Sequence, residues 1–169
     1  MVDFSDKKRL DSRPRLDRLQ QLQGEIFRQL MLLMPDAVAQ EDVFESRVAG
    51  SPVLRMELLE RHRYTHFVRL SYTFDASSGE RPAPDAHIRV YHDVRMAEVT
   101  AFNSEQAFRR SAHPAYPARP LLDRGWRENS ALDKWLAYLL QQGHSFETMR
   151  PSRVRIGIST EEAAAVELA

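Results

Sequence analysis

Cysteine is missing from the chain, and with it go disulfides, thiolate nucleophiles and thiolate metal sites. Glycine is scarce, at six residues in 169, and none falls in a G-x-x-x-x-G-K-[ST] or G-x-G-x-x-G loop, so phosphate cradles of those kinds are excluded. No serine sits in a G-x-S-x-G elbow and there is no H-E-x-x-H, which removes two common hydrolase signatures. An excess of charge of one sign is missing too. Lys+Arg and Asp+Glu both number 24, a formal net charge of zero, which argues against a protein whose main task is gripping duplex nucleic acid. No apolar run approaches the roughly 20 residues that cross a bilayer. The opening residues, MVDFSDKKRLDSRPRL, put charges where a signal peptide needs an apolar stretch. The expected compartment is the cytoplasm, with no membrane partner. Lysine is nearly absent, three residues against 21 arginines. Arginine suits bidentate recognition of carboxylate or phosphate, but these are spread along the whole chain, which is the signature of coding bias.

What is present describes one globular domain. Hydrophobic residues make up 43% and charged residues 28%, and 169 residues suffice to bury a real core. Residues 1–12 read as a flexible tail, 13–144 as a single domain and 145–169 as a second tail, partly ordered at most. Leu16, Leu19, Gln23, Ile26, Phe27, Leu30, Leu33 and Met34 recur at three- and four-residue steps, which predicts a helix over 14–34, capped by Ser12 and ended by Pro35. From residue 42 the period becomes two. Strands are predicted over 42–48, 53–60, 65–74, 87–92 and 97–102, with Leu54, Met56, Leu58, Val68, Leu70, Tyr72, Ile88 and Val90 inward. Residues 75–85 (DASSGERPAPD) are a loop by composition, and 103–125 are read as irregular. Pro114, Pro117 and Pro120 step by three within that stretch, the interval of a polyproline ridge, although a stiff loop accounts for them as well. A second helix is predicted from Asn129 or Ser130 to Gln142, with Gly143 as its C-cap. Beyond it, 153–158 alternate like a short edge strand and 161–169 could add a helical turn. Short links between strands make the sheet antiparallel. The fold class is therefore α+β, a roughly five-stranded antiparallel meander flanked by an N-terminal and a C-terminal amphipathic helix.

The stretches RYTHFV at 63–68, RVYHDVRMAEV at 89–99, the pair Tyr116-Pro117 and NSALDKWLAYLLQQG at 129–143 resemble the YqiB-like family of bacterial proteins, a domain of unknown function. The resemblance covers roughly residues 14–144 and is sharpest at Tyr91-His92-Asp93 with Ala97-Glu98-Val99 across the turn. The chain departs from it in its N-terminal tail, in the Pro-rich stretch at 80–85 and in its last 25 or so residues. The resemblance implies bacterial, cytoplasmic kinship and supplies neither activity nor site.

Chemistry has one obvious place to gather. With residues 93–96 as the turn, the hairpin pairs His92 with Ala97, Tyr91 with Glu98, Val90 with Val99 and Arg89 with Thr100. Arg89, Tyr91 and Glu98 then share one face, and Arg55, Glu57 and Arg69 join them by parity. Arg69 and Arg89 could hold an anion, Tyr91 donate a hydroxyl, and Glu98 act as base or orienter. The plainer reading makes Arg89–Glu98 and Arg55–Glu57 ordinary ion pairs, each worth under about 1 kcal/mol. Among the histidines, His62 and His66 straddle a strand start, and His87 and His92 lie on opposite faces, so no metal site is expected. His92 is expected to point inward beside Ala97 and to bond to backbone. No cofactor is implied. The function expected first is a non-enzymatic binding module for a protein partner or an anionic small molecule. Its rival is a small hydrolase for a phosphorylated or nucleotide-like substrate, and a homodimer through the sheet edge or first helix is left open.

Overall fold

The computed structural model describes residues 13–36, 40–73, 84–103 and 118–152. Helix α1 spans Arg13–Leu33 and helix α2 spans Ala118–Gln141. Between them run strands β1 (Val43–Ser46), β2 (Val53–Arg61), β3 (Thr65–Thr73), β4 (Asp85–Tyr91) and β5 (Met96–Phe102), and β6 (Met149–Pro151) follows α2. The order across the sheet is β5-β4-β3-β2-β1-β6 and every neighbouring pair is antiparallel. The meander expected from the short links is there, with six strands among the described residues instead of five. The sixth comes from the segment just beyond α2, where Ser46 pairs with Met149 and Phe44 with Pro151. Three residues carry too little alternation to announce a strand.

Both helices lie on the same face. Ile26, Leu30 and Leu33 of α1 and Leu132, Leu136 and Leu139 of α2 are fully buried with Leu54, Met56, Val68, Leu70, Ile88 and Val90 in one core. The period-two alternation of the strands supplies one apolar face and the helices supply a matching stripe each, so the described residues form two layers. Gly125 lies where a Cβ would come 3.7 Å from a Leu19 methyl, so α1 and α2 approach closely at their N-terminal ends. No described helix is long and apolar enough to cross a membrane.

Helix α2 starts at Ala118, well before Asn129. A proline in the first turn withholds an N–H that would have no intrahelical partner anyway, so Pro120 does not mark loop as composition suggested. Pro114 and Pro117 of the proposed ridge lie outside the described residues, as do Ser12, the alternating stretch 153–158 and residues 161–169. Asn129 is no cap. It sits mid-helix and is buried, its Nδ2 donating to the Gly125 carbonyl at 2.8 Å while its Oδ1 accepts the Val99 N–H at 3.1 Å. That contact satisfies an edge-strand donor that would otherwise be open to another chain. The far end of α2 closes as the sequence predicts. Gly143 has φ of 93°, its N–H meets the Leu140 carbonyl, and the His144 N–H meets the Leu139 carbonyl, which together make a Schellman cap.

The β4–β5 hairpin is the main correction to register. Residues 92–95 form the turn, Tyr91 pairs with Met96, Val90 with Ala97 and Arg89 with Glu98, and a bulge follows between His87 and Ile88. The turn is one residue earlier than expected because Arg95 takes φ of 54°, a left-handed conformation that nothing at Val94-Arg95 advertises. Each residue's partner moves by two positions, which preserves parity, so the set of side chains on each face is unchanged.

Since Leu136 is fully enclosed, Leu136→Ala is expected to cost about 2–5 kcal/mol, read as a fall in urea midpoint with the slope unchanged. A cost below about 1 kcal/mol would mean the two helices do not share this core.

Candidate functional site on the polar face of the sheet

The face away from the helices carries the outward half of the strand alternation. On it the register aligns Glu45, Arg55, Ser71 and Asp85 in one row, Glu57, Arg69 and His87 in the next, and Phe67, Arg89 and Glu98 in the third. The first two rows form a continuous ionic ladder. Arg47 Nη2 reaches Glu45 at 2.9 Å, Arg55 Nη1 reaches Glu45 at 3.0 Å, and Arg55 Nε donates to Glu57 at 3.3 Å. Arg69 then lies 3.6 Å from Glu57 and binds Asp85 with both arms, Nε to Oδ1 at 3.0 Å and Nη2 to Oδ2 at 2.8 Å. That bond to Asp85, opposed by burial, raises the Arg69 pKa above its ordinary value. Asp85 is fixed in turn by Asn103, whose Oδ1 accepts its N–H at 2.9 Å.

This ladder is no exposed decoration. Arg55 is 3% exposed and Glu57 7%, and Ser71 and Ala101 on the same face are also buried, though no described helix covers them. The surface-pair value expected from sequence does not apply here. Charges withdrawn from water need close partners, and losing one leaves the other stranded. Arg55 Nη2 and Ser71 Oγ, on residues paired across β2 and β3, have no hydrogen-bond partner among the described residues.

The third row is more open. Arg89 is exposed, with its guanidinium 5.7 Å from the centroid of the Phe67 ring, a cation–π arrangement. His87 flanks the same ring at 6.0 Å, and burial holds its pKa below the usual histidine range. The Tyr91 hydroxyl donates to Glu98 Oε1 at 2.8 Å, and Gln23 of α1 reaches Glu98 Oε2 at 3.4 Å. Burial first, and the Glu98 carboxylate second, push the Tyr91 phenol up, with the nearby Arg89 guanidinium opposing them. Arg89, Tyr91 and Glu98 thus come together as expected by parity, although Arg89 and not Tyr91 is the register partner of Glu98. Arg69 stands one row away, its fork already on Asp85.

His92 is corrected by the same register change. It lies in the turn, half-buried, its Nε2 3.0 Å from His66 Nδ1 and its ring edge-on to Phe27 at 6.1 Å. Burial lowers the pKa of both imidazoles, and His92 adds to the effect on His66. Among the described residues no three His, Asp or Glu side chains form a group that could hold a metal. Sequence reasoning missed a further cluster: His144, 1% exposed, with a serine hydroxyl on each ring nitrogen. Its partners lie more than ninety residues away, so no local pattern could have signalled it.

The family described as Protein of unknown function (DUF1249) matches residues 29–145. The chain belongs to this family. The DUF1249 match runs from the C-terminal half of α1 through all five meander strands and α2 to just past His144, and leaves β6 outside it. No curated protein matches the chain, and no solved structure does.

Two outcomes follow from this geometry. Arg55→Ala is expected to cost about 3–5 kcal/mol because it removes the buried cation that bridges Glu45 and Glu57, whereas Arg47→Ala, with a side chain 72% exposed, should cost under about 1 kcal/mol in the same denaturation assay. Stability should also fall on acidification. His66, His87, His92 and His144 all have pKa values lowered from 6.5 by burial. The unfolded chain therefore binds protons near pH 6.5 that the folded chain refuses, and stability present above that pH is lost as pH drops toward the folded values. Melts at pH 7.5, 6.5 and 5.5 test this, and His92→Gln should flatten the slope.

Proposed function

We propose that the chain is a binding module whose polar sheet face holds an anionic group, on a small molecule or on an acidic segment of a protein partner. The observation that supports this reading is the state of Arg89. Its register partner is a carboxylate, yet Glu98 is engaged by Tyr91 and Gln23, and the described contacts of Arg89 are the Phe67 ring and the Tyr91 hydroxyl. An exposed guanidinium held on an aromatic ring and left without an ion pair among the described residues is a fork preset for carboxylate or phosphate. Arg69, Tyr91 and Glu98 border it and would set orientation. The serine of this face, Ser71, has no hydrogen-bonded base among the described residues, which favours binding over turnover here. The resemblance to YqiB-like proteins supports a bacterial, cytoplasmic setting for this role.

A thermal-shift screen against nucleotides, sugar phosphates and carboxylates, run on the wild type beside Arg89→Ala and Arg127→Ala, tests the reading. A compound at 100 times its Kd adds about 2.7 kcal/mol, a rise of about 5–10 °C for a chain of this size. The shift is expected to vanish in Arg89→Ala and to survive in Arg127→Ala. Shifts that ignore Arg89, or no shift together with a lysate pull-down that Arg89→Ala leaves unchanged, would sink it.

A further inference from the structure

We propose that Ser51, in the β1–β2 turn, is a nucleophile served by His144 as general base, and that it accepts acyl groups from small esters. This site is separate from the polar sheet face. The Ser51 Oγ lies 3.0 Å from His144 Nε2, and Ser46 Oγ lies 2.7 Å from Nδ1. Ser46 is in turn 2.6 Å from Thr148 Oγ1, whose hydroxyl donates to the Ser145 carbonyl at 2.9 Å.

The direction of this chain follows from its protons. With the Thr148 hydrogen placed on the Ser145 carbonyl, Ser46 donates to Thr148 and accepts from His144. The imidazole then carries its proton on Nδ1, and bare Nε2 accepts the Ser51 hydroxyl proton. A base oriented by a third group and bonded to a hydroxyl is the arrangement that activates a serine. Burial alone lowers the His144 pKa, which keeps the ring neutral and able to take a proton at pH 7. His144 is enclosed while Ser51 remains half-exposed beside Gly50, whose φ of 79° turns the chain outward.

One neighbour bears on the acyl group: the Tyr72 hydroxyl is 3.5 Å from Ser51 Oγ, and burial raises its pKa, so it stays protonated. In the reaction Ser51 Oγ bonds to the ester carbon as its proton passes to Nε2 and the carbonyl pair moves to oxygen. Collapse expels the alcohol, which takes the proton from Nε2, leaving acyl-Ser51. Water then adds with its proton going to Nε2, the bond to Ser51 breaks, and Ser51 recovers the proton. The net change is ester plus water to acid plus alcohol.

The test treats the full chain with a fluorophosphonate probe and reads intact mass and peptide maps, with 4-nitrophenyl acetate hydrolysis alongside. One adduct is expected, on Ser51, absent from Ser51→Ala and formed at least about a hundredfold more slowly in His144→Gln. Ser46 is a positioning residue, and Ser46→Ala should slow labelling while the protein still melts cooperatively. Nitrogen-15 NMR of His144 should show the Nδ1–H tautomer, which a merely structural tie does not require. An Nε2–H tautomer, an adduct on another serine, or no adduct on folded protein would overturn the proposal. Where His144→Gln fails to fold, Ser46→Ala and the tautomer decide it.

Discussion

The meeting of α1 and α2 over a single face of the sheet is the constraint from which the rest follows. Leu132, Leu136 and Leu139 face Ile26, Leu30 and Leu33, and all six are sealed from water. Once both helices are committed to one side, the strand alternation leaves every second side chain on a face that no described helix serves. An apolar set there would be an aggregation surface. The chain fills it with charges of both signs whose sum nearly cancels, and the register sets Arg55 opposite Glu45 and Arg69 opposite Glu57. Gln23 ties the two layers together at the β5 edge, reaching from α1 to the carboxylate of Glu98.

Much of this layering was legible because the period of the pattern carries it. The inward positions of β2, β3 and β4 are the core residues expected, since alternation fixes the face whatever the exact partners are. The β4–β5 register was not legible. It depends on a left-handed Arg95, which a turn-residue preference cannot foresee, yet the shift of two preserved parity, and Arg89, Tyr91 and Glu98 still share a face. The start of α2 was obscured by Pro120 and Gly125. Composition reads both as loop, while the helix tolerates one in its first turn and uses the other for close packing on Leu19. The partners of His144 could not be read at all. The Gly143 cap was visible, but that it delivers the next residue to two serines of the β1–β2 region is a property of the tertiary fold.

The same distinction separates what charge counting says from what burial says. A net charge of zero describes partners at long range and nothing about individual pairs. Arg55 and Arg89 are both outward by parity on neighbouring parts of one face, yet one is 3% exposed within a ladder of carboxylates and the other stands in solvent over an aromatic ring. For Arg55 the competing effects are desolvation and Coulomb attraction, and two close carboxylates are needed for the second to offset the first. For Arg89 solvent supplies most of what a partner would, so leaving it unpaired costs little.

Tyr91 arbitrates that difference. Its hydroxyl occupies one oxygen of Glu98 at 2.8 Å while Gln23 takes the other. A carboxylate satisfied by two neutral donors gains little from an exposed cation, because the Coulomb term in high dielectric is small and ordering a long side chain costs rotamer entropy. Arg69 shows the alternative on the same sheet. Asp85, whose backbone is clamped by Asn103 and whose carboxylate has no tyrosine to engage it among the described residues, takes both arms of that guanidinium. Two arginines on adjacent strands are thus sorted into a structural one and an available one by the donors around their carboxylate neighbours, and it is on this sorting, more than on the count of arginines, that the proposed anion site rests.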